Sequence, residues 1–97
     1  GDAGGDIANI NRWRGQLSLS SISEKDINDM AINGECFFGD FKWYKIFNVE
    51  APESAFLCAI IPLSDSTLFI KLNVTLDGLS EVESGFLKFC SSINKSK

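Results

Sequence analysis

The sequence predicts an α+β domain, an antiparallel meander sheet of three to four strands with helices on both faces, in the order ααβββα. Helix-like segments flank a run of strand-like segments, and the short loops between those strands favour antiparallel neighbours. The segment AFLCAII (55–61) is apolar at every position, so its strand needs cover on both faces. We therefore expect three layers, helix on sheet on helix.

Length and composition indicate one folded domain with an acidic surface. A chain of 97 residues forms one domain at most, and 44% apolar with 23% charged residues is typical of a globule. Thirteen acidic residues outnumber nine basic ones, giving a net charge of −4, which argues against a nucleic-acid partner. The longest apolar run, AFLCAII, has the length of a strand, so we expect no membrane span.

The first six residues, GDAGGD, read as a flexible, glycine-rich lead-in. Asp6 is then placed to cap a helix over residues 7–17. Because the chain starts with a connector and without Met, we expect residues 1–97 to be a single domain that is part of a larger one.

The first helix carries an arginine beside its apolar face. Ile7, Ile10, Trp13 and Leu17 share that face at helical spacing, and Arg14 projects next to them. A buried guanidinium without a partner would cost several kcal/mol, so Arg14 needs a carboxylate or backbone carbonyls. The candidate carboxylates are Glu35, Asp40, Glu50 and Asp65.

Two interpretations of this helix stay open. In the first, Trp13 and Arg14 are a structural anchor that pins the helix to the sheet. In the second, Arg14 lines a polar pocket with Asn11 and Gln16 and binds an anionic or amide-bearing ligand. No nucleophile–base pair accompanies Arg14 in the sequence, so we predict no catalytic residues.

A second helix and the sheet follow. Ser23 and Asp26 resemble a capping box that opens a helix over residues 24–30. The dipeptides Asn33-Gly34 and Gly39-Asp40 are turn signals, of which one marks a hairpin and the other a bulge. Strands are expected over residues 41–49, 55–63 and 67–75. A last helix over residues 79–93 keeps apolar residues at helical spacing.

The edges of so small a sheet predict a further partner. A strand such as AFLCAII, left open, would recruit another chain. We expect the sheet to be completed either by strands of a longer chain or by a second copy in a homodimer.

Aromatic residues crowd residues 37–47, and they cannot all belong to one small core. One interpretation divides them between the two faces of the sheet. The other exposes some of them, Trp43 and Tyr44 above all, as a contact surface for a protein.

The cysteines do not predict a metal or cofactor site. Cys36, Cys58 and Cys90 lie among apolar neighbours, and the chain has no His to complete a zinc site. Buried free thiols and a Cys58–Cys90 disulfide are the two interpretations.

Three stretches resemble a known group of proteins. The stretches GGDIANINRWRGQL, LFIKL and VESGFLKF are similar to the C-terminal half of uncharacterised bacterial secreted or lipoprotein-type proteins. The matching positions are Asn9, Asn11, Arg12, Trp13, Arg14, Gly15, Gln16, Leu17, Phe69, Lys71, Leu72, Phe86, Leu87 and Phe89. That group is similar in fold to the PsbP and Mog (Ran-binding) α/β/α sandwiches. The resemblance implies an extracytoplasmic, non-enzymatic domain, periplasmic or lipid-anchored in the full-length protein. It implies no known ligand, since the group has no settled function and the PsbP and Mog proteins act by binding other proteins.

These observations predict a non-enzymatic binding or assembly module that engages a protein partner or a second copy of itself. The alternative is a carrier that holds a small anionic or lipid ligand between the first helix and the sheet, with Arg14 or Gln16 at the mouth of the pocket.

Overall fold

The computed structural model describes residues 5–94, which form three helices and four strands in the order ααββββα. The elements are α1 Gly5–Gln16, α2 Glu24–Met30, β1 Ile32–Cys36, β2 Gly39–Phe47, β3 Ala55–Pro62, β4 Thr67–Val74 and α3 Leu79–Ser91. The predicted α+β class and the antiparallel meander are confirmed, with the strands in the spatial order β1-β2-β3-β4.

The sheet separates two apolar cores. On one face α1 and α2 cover β2 and β3, and Ile10, Tyr44 and Cys58 are buried there. On the other face α3 covers the sheet, and Leu57 and Phe86 are buried. This is the three-layer arrangement that the sequence predicts, and it follows from the side chains of β3, which are buried on both faces from Ala55 to Ile61.

The strand AFLCAII lies inside the sheet rather than at an edge. It forms most of β3, which pairs with β2 along one side and with β4 along the other. The expectation that this strand forms an unpaired edge of the sheet is therefore wrong. The described sheet ends at β1 and at β4, and any further strand would have to join one of these two.

The first helix begins earlier than expected. It includes Gly5 and Asp6, so Asp6 lies in the first turn instead of capping the helix from outside. A carboxylate in that turn still interacts favourably with the helix dipole. Residues 1–4 of the expected lead-in lie outside the described residues.

Neither turn dipeptide forms the centre of the first hairpin. The turn is Phe37-Phe38, and Gly39 follows it at φ 111°, a conformation that residues with a Cβ atom rarely adopt. Asn33-Gly34 lies in the unbroken β1–β2 ladder, without the expected bulge. Glycine is needed at position 34 because a Cβ there would come within 2.4 Å of the Phe41 ring.

The C-terminus of α1 is closed by a Schellman motif. The Leu19 N–H donates to Arg14 O and the Ser18 N–H donates to Gly15 O, at 2.9 and 3.0 Å. Ser18 occupies the left-handed position with φ 62°. The motif turns the chain back so that Leu19 packs against the core beneath α1.

The three cysteines are free thiols, and Cys58 does not meet Cys90. Cys58 is buried in the core under α1, whereas Cys90 is buried in the core under α3, on the other side of the sheet. The Cys58–Cys90 disulfide is therefore wrong. Cys36 packs against the same core as Cys90.

None of the helices within residues 5–94 is long and apolar enough to cross a membrane.

Candidate interaction surface

Asn11 binds the backbone of its own chain. Its Nδ2 donates to Ile22 O at 3.1 Å, and its Oδ1 accepts from the Ile22 N–H at 2.9 Å. The amide thus pairs with Ile22 as a neighbouring strand would, and it holds the α1–α2 loop against the helix. The interpretation in which Asn11 contacts a ligand does not fit, because both of its polar atoms are used within the fold.

Arg14 is half-buried and donates through Nε to Ser20 O at 2.8 Å. It takes a backbone carbonyl, one of the two partner types the sequence allows, and it belongs to neither salt bridge found among residues 5–94. Gln16 accepts from Lys71 Nζ at 2.7 Å. Asn11 and Arg14 therefore hold the α1–α2 loop, whereas Gln16 contacts β4, and the three side chains do not line a common pocket.

Apolar side chains fill the space between α1 and the sheet. Ile10 is fully buried, and Trp13 and Leu17 expose 7% and 4% of their surface. The Trp13 ring packs edge-on against Phe69 of β4, with centroids 6.5 Å apart. A ligand pocket with Arg14 or Gln16 at its mouth does not fit this packing.

Trp43 and Tyr44 are core residues on opposite faces of β2. Trp43 lies under α3 and Tyr44 under α1, exposed to 4% and 1%. Burial, with smaller effects of Asp6 and Cys58, raises the pKa of Tyr44. Neither ring can meet a partner at the surface, so the expected contact surface at these two residues is wrong.

The exposed apolar groups lie elsewhere, and some of them line a groove between β4 and α3. The large apolar side chains that are most exposed among residues 5–94 are Ile7, Phe37, Phe47, Val49, Leu72 and Phe89. Leu72 and Phe89 belong to the groove, which has a volume of about 430 Å³. We call it the β4–α3 groove; its walls are Ile70, Lys71, Leu72, Glu81, Val82, Gly85, Phe86 and Phe89.

The groove exists because α3 lies over β1, β2 and β3 more than over β4. The helix contacts β3 and β1, and Lys45 of β2 pairs with its Glu83 at 3.2 Å. On β4, Ile70 and Leu72 face the same side as α3; Ile70 is half-buried at the margin of that core, whereas Leu72 lies outside it and remains 38% exposed. The sequence predicts that this apolar face of β4 is buried, but in the structure it is partly exposed to solvent.

Residues of α3 form the other wall. Val82, Phe86 and Phe89 follow one another at helical spacing along the side of the helix that faces β4. Phe89 is 58% exposed at the end of this row. Gly85 lies between them, and a Cβ atom built there would meet nothing within 4 Å, so the glycine leaves the groove open.

The free edge of β4 borders this groove. The Leu63 N–H donates to Ser66 O at 2.7 Å, and hydrogen-bonded pairs alternate along an antiparallel ladder. Every second residue of β4, counted from Ser66, bonds to β3, and Ile70 is one of them. The N–H and C=O groups of Phe69 and Lys71 therefore point outward. No hydrogen bond to these outward groups is found among residues 5–94.

Lys71 does not protect that edge. A lysine on an edge strand usually discourages the addition of another strand. Here its ammonium group is held over the α1 face of the sheet, 2.7 Å from Gln16 Oε1 and 4.5 Å from the centre of the Phe56 ring. The backbone beside it is left accessible.

The opposite edge is better protected. Strand β1 has five residues against eight in β4, and it carries Asn33, Gly34 and the charged Glu35. Short strands with charges at the edge resist pairing with other chains. Its end is also tied down, because the Phe37 N–H donates to Ile93 O at 3.4 Å.

No protein-family model, curated protein or solved structure matches this sequence. The resemblance to secreted or lipoprotein-type proteins therefore stays a prediction from the three stretches that suggest it.

Proposed function

We propose that this domain is a non-enzymatic binding or assembly module that engages another polypeptide through the β4–α3 groove and the free edge of β4. The observation that carries the proposal is the placement of an exposed apolar wall, Leu72 and Phe89, beside a strand whose outward backbone groups have no hydrogen-bond partner among residues 5–94. An extracytoplasmic location is a further prediction, supported by the sequence resemblance alone.

Strand addition at an edge supplies both affinity and specificity. Main-chain hydrogen bonds to β4 would hold the partner, and the groove would select its alternate side chains. Complete burial of one phenylalanine or leucine side chain stabilises a contact by about 1.5–3 kcal/mol. Phe89 and Leu72, exposed to 58% and 38%, can contribute a substantial part of that range.

Photo-crosslinking from inside the groove tests the proposal. Benzoylphenylalanine replaces Leu72 in the full protein, in cells that naturally produce it, and a second version carries it at Lys25. Lys25 is a fair control because its side chain is 83% exposed on α2, over the other face of the sheet. We expect illumination to give covalent adducts with a polypeptide from position 72 and not from position 25.

A third version combines the crosslinker at position 72 with Gly85→Gln. Glutamine favours helix and has room at this position, so the domain should fold while its groove is filled. The adducts should then disappear. Adducts that are equally abundant from both positions, or that persist with Gly85→Gln, would overturn the proposal.

A further inference from the structure

We propose that the polypeptide partner is a second copy of this chain, paired antiparallel β4 to β4 about a twofold axis at Ile70. The inference rests on the function proposed above and names the occupant of that surface. It would join two four-stranded sheets into one continuous sheet, with α3 of both copies on the same face.

The register follows from the geometry of an antiparallel pair. Residues directly opposite one another project to the same face, so a twofold pair must be centred on a residue rather than between two residues. Strand β4 runs from Thr67 to Val74. The two registers with the greatest overlap are centred on Ile70, which pairs residues 67–73, and on Lys71, which pairs residues 68–74.

Charge and side-chain character decide between these registers. Centred on Lys71, the strands would set two ammonium groups directly opposite, which is destabilising. Centred on Ile70, each Lys71 lies opposite Phe69 of the second copy, and Leu68 lies opposite Leu72 of the second copy. These are aromatic–cation and apolar pairs, both favourable across strands.

The alternation of inward and outward hydrogen-bonding residues along β4 also fits the register centred on Ile70. The outward groups of β4 belong to Phe69 and Lys71, whereas Ile70 bonds inward to β3. In the pair centred on Ile70, the Phe69 N–H donates to Lys71 O of the second copy and the Lys71 N–H donates to Phe69 O of the second copy. Both exchanges occur twice, once on each side of the axis.

The β4–α3 grooves of the two copies would also meet. Both grooves lie on the α3 face, and in both β4 forms one wall, so pairing the strands places the two apolar walls side by side. Ile70 and Leu72 of both copies then lie next to one another on this face.

Disulfide trapping tests the register. Opposed residues outside a hydrogen-bonded pair have Cα atoms about 4.5 Å apart, within the range that a disulfide spans. In a Cys36→Ala background, Ile70→Cys treated with diamide should give a covalent dimer, and Leu72→Cys alone should not. A mixture of Leu68→Cys and Leu72→Cys chains should give a mixed dimer. Trapping by Leu72→Cys and not by Ile70→Cys would overturn the register.

Sedimentation equilibrium tests the association itself with Lys71→Pro. Proline removes an outward N–H and no bond to β3, and edge strands tolerate it. Loss of this hydrogen bond on both sides of the axis should raise the dimer dissociation constant about tenfold or more. The control, Lys71→Ala, removes the same side chain but keeps the N–H, and it should change the constant by less than about threefold. Equal effects of the two variants would overturn the strand pairing.

The two proposals fail separately. If the purified protein is monomeric at all concentrations and position 72 crosslinks to a different polypeptide, the self-association is wrong and the binding function stands. If position 72 gives no specific adduct, both are wrong.

Discussion

At the scale of single residues, the polar groups of the first helix serve the fold. Asn11 satisfies both the N–H and the C=O of Ile22, and Arg14 satisfies Ser20 O. The sequence shows that Arg14 needs a partner, but it cannot show which one. A backbone carbonyl six residues away leaves no pattern of residue types to detect.

Replacing Asn11 tests this structural role. Asn11→Ala leaves two backbone groups of Ile22 without their partner, and we expect a loss of about 1–3 kcal/mol in the free energy of unfolding. Gln16→Ala is the control, because its single contact with Lys71 is exposed, and it should cost less than about 0.5 kcal/mol. Urea denaturation of both variants measures the difference. Equal losses would mean that Asn11 is not a structural link.

The buried thiols predict that the free energy of unfolding decreases at alkaline pH. Burial raises the pKa of Cys58 from 9.0 to about 12, against a smaller opposite effect of Lys71. Burial, with the nearby Cys36, raises that of Cys90 to about 11. In the unfolded chain these thiols ionise near pH 9, whereas in the folded protein they stay neutral to a higher pH. Their contribution to the free energy of unfolding is therefore complete below pH 9 and is lost as the pH rises toward 11–12.

Urea denaturation at pH 9 and at pH 10 measures this loss. Neither pH lies above the ordinary tyrosine pKa of 10.0, so ionisation of Tyr44 contributes little. We expect the free energy of unfolding to fall by about 1 kcal/mol for each thiol over this interval. The Cys58→Ala, Cys90→Ala double variant should be less stable throughout but should lose most of this pH dependence. A slope that persists in the double variant would assign it to other groups.

At the scale of elements, the end of α1 carries a correctable strain. Ser18 has φ 62° at the Schellman position where glycine is usual, and this conformation costs a residue with a side chain about 1–2 kcal/mol. Ser18→Gly should therefore raise the free energy of unfolding by about 1 kcal/mol, measured by thermal denaturation. Ser20→Gly, two residues later and without a positive φ, should give no gain. A gain from both would point to the loop in general.

The sequence predicts elements best where one strong pattern acts alone. The two-sided apolar segment AFLCAII indicates a covered strand, and it is one. Asn33-Gly34 misleads because its turn tendency is weaker than a tertiary contact, the Phe41 ring, which occupies the space beside Gly34. The same ring explains why β1 continues through a dipeptide that normally ends a strand.

At the scale of the whole molecule, the surface is harder to predict than the layers. The apolar face of β4 and the apolar row of α3 are both visible in the sequence. What the sequence does not contain is the lateral position of α3, which contacts β3 and β1, leaves Ile70 half-buried and leaves Leu72 exposed. The burial of Trp43 depends on the same placement, because α3 covers its face of β2, whereas Tyr44 is buried on the other face under α1.

The net charge makes a last prediction about association. Each chain carries −4, so two copies repel each other, and with a radius of gyration of 13.4 Å their centres would lie about 30 Å apart. The Debye length is about 30 Å at 0.01 M salt and about 8 Å at 0.15 M, so physiological salt removes most of this repulsion. An interface of backbone bonds and apolar contacts loses little at the same salt, and the dimer dissociation constant should fall about threefold between these two conditions.

Sedimentation equilibrium at the two salt concentrations measures this change, and a variant with two fewer acidic groups is its control. Glu24→Gln combined with Glu50→Gln removes two negative charges at exposed positions away from β4. This variant should dimerise more tightly than the natural chain at low salt and equally well at 0.15 M. Association that weakens as salt increases would instead mean that ion pairs hold the copies together. That result would contradict a contact held mainly by Ile70, Leu72 and the outward backbone groups of β4, none of which carries a charge, and in which the only charged side chain, Lys71, lies opposite an aromatic ring rather than a carboxylate.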